Sequence, residues 1–113
     1  ETIEVYNNGK MKRDFTFIDD IISGTKSAIE KNYKCEIFNL GNNKNEKLIT
    51  LIKVLENELA KEAKIKFMPM QPGDVIETYA NIDKSIEKLN YNPKISINHG
   101  IPKFINWYKE YYH

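Results

Sequence analysis

Seventeen residues of the chain are lysine or arginine, and only Arg13 is arginine. Where lysine is the default cation, one guanidinium suggests a need for a planar fork, suited to bidentate contact with phosphate or carboxylate. The same side chain could instead form an ion pair with a nearby acid. A second stretch, Gln71-Pro72-Gly73-Asp74, sets an amide and a carboxylate on either side of a rigid turn. There Asp74 could accept hydrogen bonds from a sugar diol, and Gln71 can both donate and accept. The plainer alternative is a turn in which Asp74 bonds neighbouring backbone.

Other chemistries lack their residues. Gly9, Gly24, Gly41, Gly73 and Gly100 never cluster into a phosphate-binding loop, so neither a dinucleotide fingerprint nor a P-loop is present. His99 and His113 have no partners at metal-ligand spacing, and Cys35 is alone, so no zinc site and no internal disulfide can form. A single cysteine fits a reducing, cytoplasmic setting, with Cys35 as a small buried group at a strand edge. Tyr6 and Lys10 match a Tyr-x-x-x-Lys spacing, but Asn7-Asn8-Gly9 between them breaks helices, so the match is coincidental.

The elements that must hold Arg13 and Asp74 in place follow from pattern. Ile3–Tyr6 alternates like a strand, and Asn7-Asn8-Gly9 predicts a tight turn with positive φ. Asp19 or Asp20 should open a helix, with Ile21, Ile22, Thr25, Ala28 and Ile29 as its buried face, Gly24 packed close to a neighbour, and Asn32 closing it. Cys35–Leu40 reads as a strand ended by Gly41-Asn42-Asn43. A helix follows from about Glu46 to Ala63, with Leu48, Leu51, Ile52, Leu55 and Leu59 on one stripe. Ile65–Met68 is a short strand, and residues 70–75 form a loop. Asp83 should cap a short helix ending near Asn90. Ser96 or Asn98 opens a last helix whose aromatic stripe (Phe104, Trp107, Tyr108, Tyr112) reads as core, with a late start or bend near Pro102. Alternating strands and helices predict a small mixed α/β layer.

At 113 residues the chain fits a single domain, residues 1–113, burying roughly two-thirds of its unfolded surface. A net charge of +1 gives no electrostatic footprint for nucleic acid or an anionic membrane. No apolar run approaches the ~20 residues that span a bilayer. The first residue, Glu1, lies almost inside a strand, which reads as a piece of something longer.

Taken in order, Arg13–Asp20, Phe38-Asn39-Leu40-Gly41-Asn42, Met70–Val75 and Phe104-Ile105-Asn106-Trp107-Tyr108 closely resemble the C-terminal substrate-binding part of NAD-dependent nucleotide-sugar epimerases and dehydratases, the extended short-chain dehydrogenase/reductases. The Gln-Pro-Gly-Asp form, with Gly-Lys-Met before the arginine, most resembles the UDP-glucuronate 4-epimerase branch. The resemblance implies that Arg13 holds the diphosphate of a UDP-sugar and that Asp74 holds the ribose hydroxyls. Gln71 stands where UDP-galactose epimerases have a second phosphate-binding arginine. Asp19, Asp20, Asn39 and Gly41 match positions with structural roles. It further implies that NAD and the catalytic residues belong to an N-terminal Rossmann half absent from this sequence, which would also carry a homodimer contact. Catalysis there passes through a transient ketone at C4. The surface facing that half should be apolar, so the 113 residues alone would self-associate and bind UDP-sugar weakly. A dehydratase, a decarboxylase or a free-standing non-catalytic binding module are the alternatives. The nucleotide assignment sets the Arg13 guanidinium across a cleft from the Asp74 carboxylate, and it fails if that side chain is locked in an internal salt link or points away from the Pro-Gly loop.

Overall fold

In the computed structural model, which describes residues 1–113, strand β1 (Thr2–Val5) ends where Asn7, Asn8 and Gly9 take φ of 50°, 49° and 77°. This left-handed turn reverses the chain into β2 (Lys12–Arg13) and rules out a helix joining Tyr6 to Lys10. Next come α1 (Ile18–Lys31), β3 (Glu46–Lys47), α2 (Leu48–Leu59), β4 (Lys64–Phe67), α3 (Asp83–Leu89) and α4 (Ile97–Tyr112). Strands β1 and β4 pair in parallel, with Thr2 opposite Lys64 and Val5 opposite Phe67. Strands β2 and β3 pair antiparallel, with Arg13 opposite Glu46. The result is the mixed α/β class expected, in two small two-stranded sheets.

Helix α2 packs on α4, and α1 on α3. The α2 stripe is half-buried or buried as its spacing predicts, and Leu51 and Leu55 face Ile97, Ile101 and Phe104 across an apolar cleft of about 310 Å³. The tightest core lies elsewhere: Ile82, Leu89 and Tyr91, covered by Ala28, Phe38, Leu40 and Ala80. Gly24 admits that core, since a Cβ there would lie 2.5 Å from Leu40 Cδ2. Left-handed residues close the first three helices: Asn32 and Asn90, as expected, and Ala60.

Several expectations are corrected. Residues 35–40 form no strand, because no segment of the chain runs beside them to complete a ladder. Side chains hold this stretch to α3 instead. Glu36 pairs with Lys84 and Lys88, whose hydrogen bonds keep its carboxyl below the usual range, and Ser85 donates its hydroxyl to the Asn39 carbonyl. Cys35, without a strand edge to bury it, is exposed. On α1 the fully buried residues are Asp20 and Gly24; of the expected face Ile21 and Ala28 are half-buried, whereas Ile22, Thr25 and Ile29 are exposed, as is Ile18. Asp20 does not cap its own helix; its carboxylate accepts the backbone N–H groups of Lys94 and Ile95. Helix α3 begins at Asp83 with Ile82 at its cap position, so Asp83 does not cap it; the Asp83 N–H bonds instead to Asn81 Oδ1 just before the helix. Helix α4 starts at Ile97, directly after Ser96, and continues through Pro102; its start is not delayed. Pro102 forgoes the hydrogen bond to the carbonyl of Asn98, an exposed residue in the first turn. The aromatic residues of α4 are not core: Trp107, Tyr108, Tyr111 and Tyr112 are exposed and stack on one another.

The molecule is a slab of 48 × 37 × 19 Å. It exposes 8430 Å² at 13.3 kDa, roughly 2,000 Å² more than a compact chain of that mass would. Burial therefore falls below the expected two-thirds. One face of the layer lacks a cover that its apolar residues are suited to receive.

Candidate functional site

Strand β2 is only two residues long, yet it is held on both sides. Its antiparallel partner is β3, and on the other side Lys12 N–H bonds to the Ile76 carbonyl at 2.9 Å while Thr78 N–H bonds to the Lys12 carbonyl. The chain from 76 to 78 thus acts as a third strand, and its N-terminal continuation carries the Pro-Gly turn. In that turn Gly73 has φ +82° and Asp74 N–H bonds to the Gln71 carbonyl, the pattern of a type II turn. Proline fixes the first central position and glycine alone accepts the second without strain.

These two pieces of backbone bring Arg13 and Asp74 together. The Arg13 guanidinium donates to Asp74 Oδ1 at 2.9 Å through Nη2, and to the carbonyls of Lys12 (2.8 Å) and Ile76 (3.3 Å) through Nη1. Asp74 Oδ1 also accepts the N–H of Val75 at 2.8 Å. Arg13 therefore does face the Pro-Gly loop, as the nucleotide assignment requires. It does so as one half of an internal ion pair, which corrects the expected geometry of a guanidinium and a carboxylate on opposite walls of a cleft. By the criterion set on sequence, this side chain alone no longer establishes a phosphate site.

The pair is not fully consumed. A guanidinium has five N–H donors and three are engaged, leaving two; of the Asp74 oxygens, Oδ2 has no partner in the protein. The side chains are 29% and 33% exposed, so the pair is not sealed from solvent. One composite group thus presents donors for an oxyanion beside an acceptor for hydroxyls. Gln71 is exposed beyond it, with no hydrogen bond from its side chain to the protein. Neither the apolar cleft nor the polar recess formed by Asn43–Glu46, Glu77 and Tyr79 includes Arg13, Gln71 or Asp74.

Of the positions read as structural, three hold loops in place. Asp20 ties α1 to residues 94–95, Asn39 donates to the Asn81 carbonyl, and the Gly41 carbonyl accepts the Tyr91 hydroxyl at 2.7 Å. Asp19 is exposed, 3.8 Å from Lys103. Sequence reasoning passed over Asp14, which accepts three backbone N–H groups from two separate segments, and Tyr91, the most buried tyrosine. Asp14 left one usable signal: it directly follows the sole arginine on a strand too short to hold that arginine by itself. The only sign at Tyr91 was its place just after the Asn90 helix end.

No family model matches the chain. It is 52% identical over 108 residues to an uncharacterised protein of Methanocaldococcus jannaschii. It is 40% identical over 109 residues to the UDP-glucuronate 4-epimerase of Thermodesulfobacterium geofontis, covering 96% of this chain and 33% of that one. The Bacillus cereus UDP-glucuronic acid 4-epimerase, solved with UDP-glucuronic acid and NAD, superposes with a TM-score of 0.86 at 30% identity over 98% of this chain and 36% of that one. The chain spans about a third of the length of the curated relatives it matches. Its fold is that of the C-terminal portion of these extended short-chain dehydrogenase/reductase epimerases.

Proposed function

We propose that this chain, the counterpart of the C-terminal part of NAD-dependent UDP-sugar epimerases and dehydratases, is the UDP-sugar-binding portion of a UDP-glucuronate 4-epimerase. The observation carrying the site is the Arg13–Asp74 pair with donors and an acceptor left over on its two halves. Arg13 gives its free N–H groups to the diphosphate, Asp74 Oδ2 accepts from the ribose hydroxyls, and Gln71 flanks them. Charge-assisted bonds of this kind are worth roughly 1.5–3 kcal/mol each.

The chain does no chemistry by itself, since it holds no Gly-rich loop and no helical Tyr-x-x-x-Lys pair. NAD, bound by the N-terminal Rossmann half of the whole enzyme, supplies the hydride acceptor and donor for inversion at C4. The residues here contribute binding energy on the nucleotide, remote from the reacting carbon, and fix the sugar's position. The uncovered face of the slab receives that Rossmann half, through which the whole enzyme dimerises. No helix is long and apolar enough to cross a membrane. We place the whole enzyme in the cytoplasm, in carbohydrate metabolism.

The test is Arg13→Ala and Asp74→Ala in a full-length enzyme carrying this chain as its C-terminal third. KM for UDP-glucuronate should rise roughly ten- to a hundredfold with kcat less affected, as for a contact made equally in ground and transition states. Unchanged KM in both variants overturns the assigned roles. A second reading, a free-standing binding module, is favoured by the missing catalytic set. It predicts tight UDP-sugar binding by the 113 residues alone, where our reading predicts weak binding or none. A dehydratase or decarboxylase would instead be revealed by the product formed.

A further inference from the structure

The carboxylate of Asp14 joins three stretches of chain. Its Oδ1 accepts the N–H of Asn42 at 2.9 Å, and its Oδ2 accepts those of Asn43 and Ala80 at 3.0 Å each. Thr16 adds a longer hydroxyl bond of 3.4 Å to Oδ1. The junction has no slack. A Cβ built on Gly41 would stand 2.5 Å from Ala80 Cβ and 2.9 Å from Asp14 Oδ2, so not even a methyl group fits where the segments meet.

The bond to Ala80 completes a series. Ile76 accepts from Lys12 N–H and from the Arg13 guanidinium, Thr78 donates to the Lys12 carbonyl, and Ala80 donates to Asp14. Alternate residues of 76–80 are thus fastened to Lys12 and Asp14, themselves alternate residues of the facing segment, as strand geometry dictates. Lys12 and Ile76 use backbone; at Asp14 the ladder continues through a side chain, because the chain there bends away toward Phe17 and α1. Asp74 lies two residues before the first rung. The separation of Arg13 from Asp74 is therefore set by a lattice whose last fastening is Asp14.

We propose that Asp14 is the positioning residue for the Arg13 fork: it fixes segment 76–80, and with it the Ile76 carbonyl and Asp74 that aim the guanidinium. The inference rests on the binding role given to Arg13 above, but its first test does not require that role to be right. Because Arg13 is the only arginine, its Nη1 protons, bonded to the Lys12 and Ile76 carbonyls, give the only hydrogen-bonded guanidinium Nη1 signal in a ¹⁵N–¹H spectrum. In the 113-residue chain we expect a sharp, slowly exchanging signal. Asp14→Asn, which replaces one accepting oxygen by an amide that cannot accept, should speed the exchange of those Nη1 protons with water at least tenfold while the amide spectrum of α2 and α4 stays dispersed. Unchanged Arg13 exchange in a folded Asp14→Asn chain overturns the proposal.

Should Asp14→Asn fail to fold, Asp14→Glu keeps both oxygens on a longer stem. It should fold and displace the Arg13 signal, and an undisplaced signal or a second failure to fold also overturns the proposal. In the full-length enzyme, Asp14→Asn should raise KM for the UDP-sugar. Added to the double variant Arg13→Ala, Asp74→Ala it should raise KM no further, since a residue acting through that pair has nothing left to position. Additive effects would mean that Asp14 acts independently of the pair. If Arg13→Ala itself leaves KM unchanged, the nucleotide reading fails, and the exchange result still decides the positioning role.

Discussion

The Tyr91 hydroxyl donates to the carbonyl of Gly41 at 2.7 Å, inside the small core and against the Asp14 junction. Burial, with the charges of Asp20 and then Asp14 adding, pushes this hydroxyl from its ordinary 10.0 up to about 12. The neutral phenol is therefore the form the fold requires. Its contribution is fully present below pH 10 and is lost as pH rises through 12. Two pH decades correspond to roughly 2.7 kcal/mol. The difference in unfolding free energy between wild type and Tyr91→Phe should accordingly shrink above pH 10. At neutral pH the variant should lose about 1–3 kcal/mol, because the Gly41 carbonyl is left buried without its donor. Urea unfolding at pH 7, 9 and 10.5 checks both statements; a difference that grows with pH would show that Tyr91 is not held neutral.

Ala60 ends α2 at φ 50°, ψ 43°, with its N–H bonded to the carbonyls of Asn57 and Glu56. The other two left-handed helix ends carry asparagine, which tolerates this region; alanine does not, at roughly 1–2 kcal/mol. Ala60→Gly should relieve that strain, less what glycine adds to the freedom of the unfolded chain, for a net gain of about 0.5–1 kcal/mol. Thermal unfolding at neutral pH would show it as a rise in Tm. The same substitution logic runs the other way at Gly73, where φ is +82° and there is open space for a Cβ, so Gly73→Ala should cost backbone strain alone.

What could be seen in the sequence divides along a physical line. Asn7-Asn8-Gly9, the α2 stripe and the Asn32 and Asn90 helix ends were legible because each depends on the local chain: a positive φ, a 3.6-residue period, a residue that accepts αL. The Pro-Gly turn was legible for the same reason. Residues 35–40 were misread because a strand is a property of two segments, and β-forming residues without a neighbour do not make one. Helix α1 was read only in part because periodicity marks an apolar face but not what covers it: Ile21 and Ala28 are half-buried, while Ile22 and Ile29 lie on a side that this chain does not cover. At the site, the two important residues were visible by type, but their pairing was not. Nothing in sixty-one residues of separation says that Asp74 will lie against Arg13 rather than opposite it. Asp14 escaped notice because accepting backbone N–H groups requires only a carboxylate, and the chain has many.

Ile18, Ile22 and Ile29 are 60%, 57% and 72% exposed and lie four and seven residues apart on one side of α1. A helix in water does not retain such a face without consequence, since each fully buried side chain of this size returns about 1.5–3 kcal/mol. If the Rossmann half of the whole enzyme covers it, the 113 residues alone must find another cover, and the nearest is a second copy. We therefore expect concentration-dependent self-association of the isolated chain in sedimentation velocity. Ile22→Glu combined with Ile29→Lys should reduce it, by placing charges where an apolar partner must pack. Because both side chains are exposed, the same double variant should change unfolding free energy by no more than about 0.5 kcal/mol per site. The two measurements separate docking from folding: lost stability would mean that the stripe packs within the chain, and a strictly monomeric wild type at high concentration would mean that the face is tolerated by water. In the full-length enzyme the same pair of substitutions should do the opposite, weakening the joint between the halves and lowering the unfolding temperature. A full-length enzyme indifferent to both changes would place the joint elsewhere on the slab, with the exposed aromatic face of α4 the next surface to test.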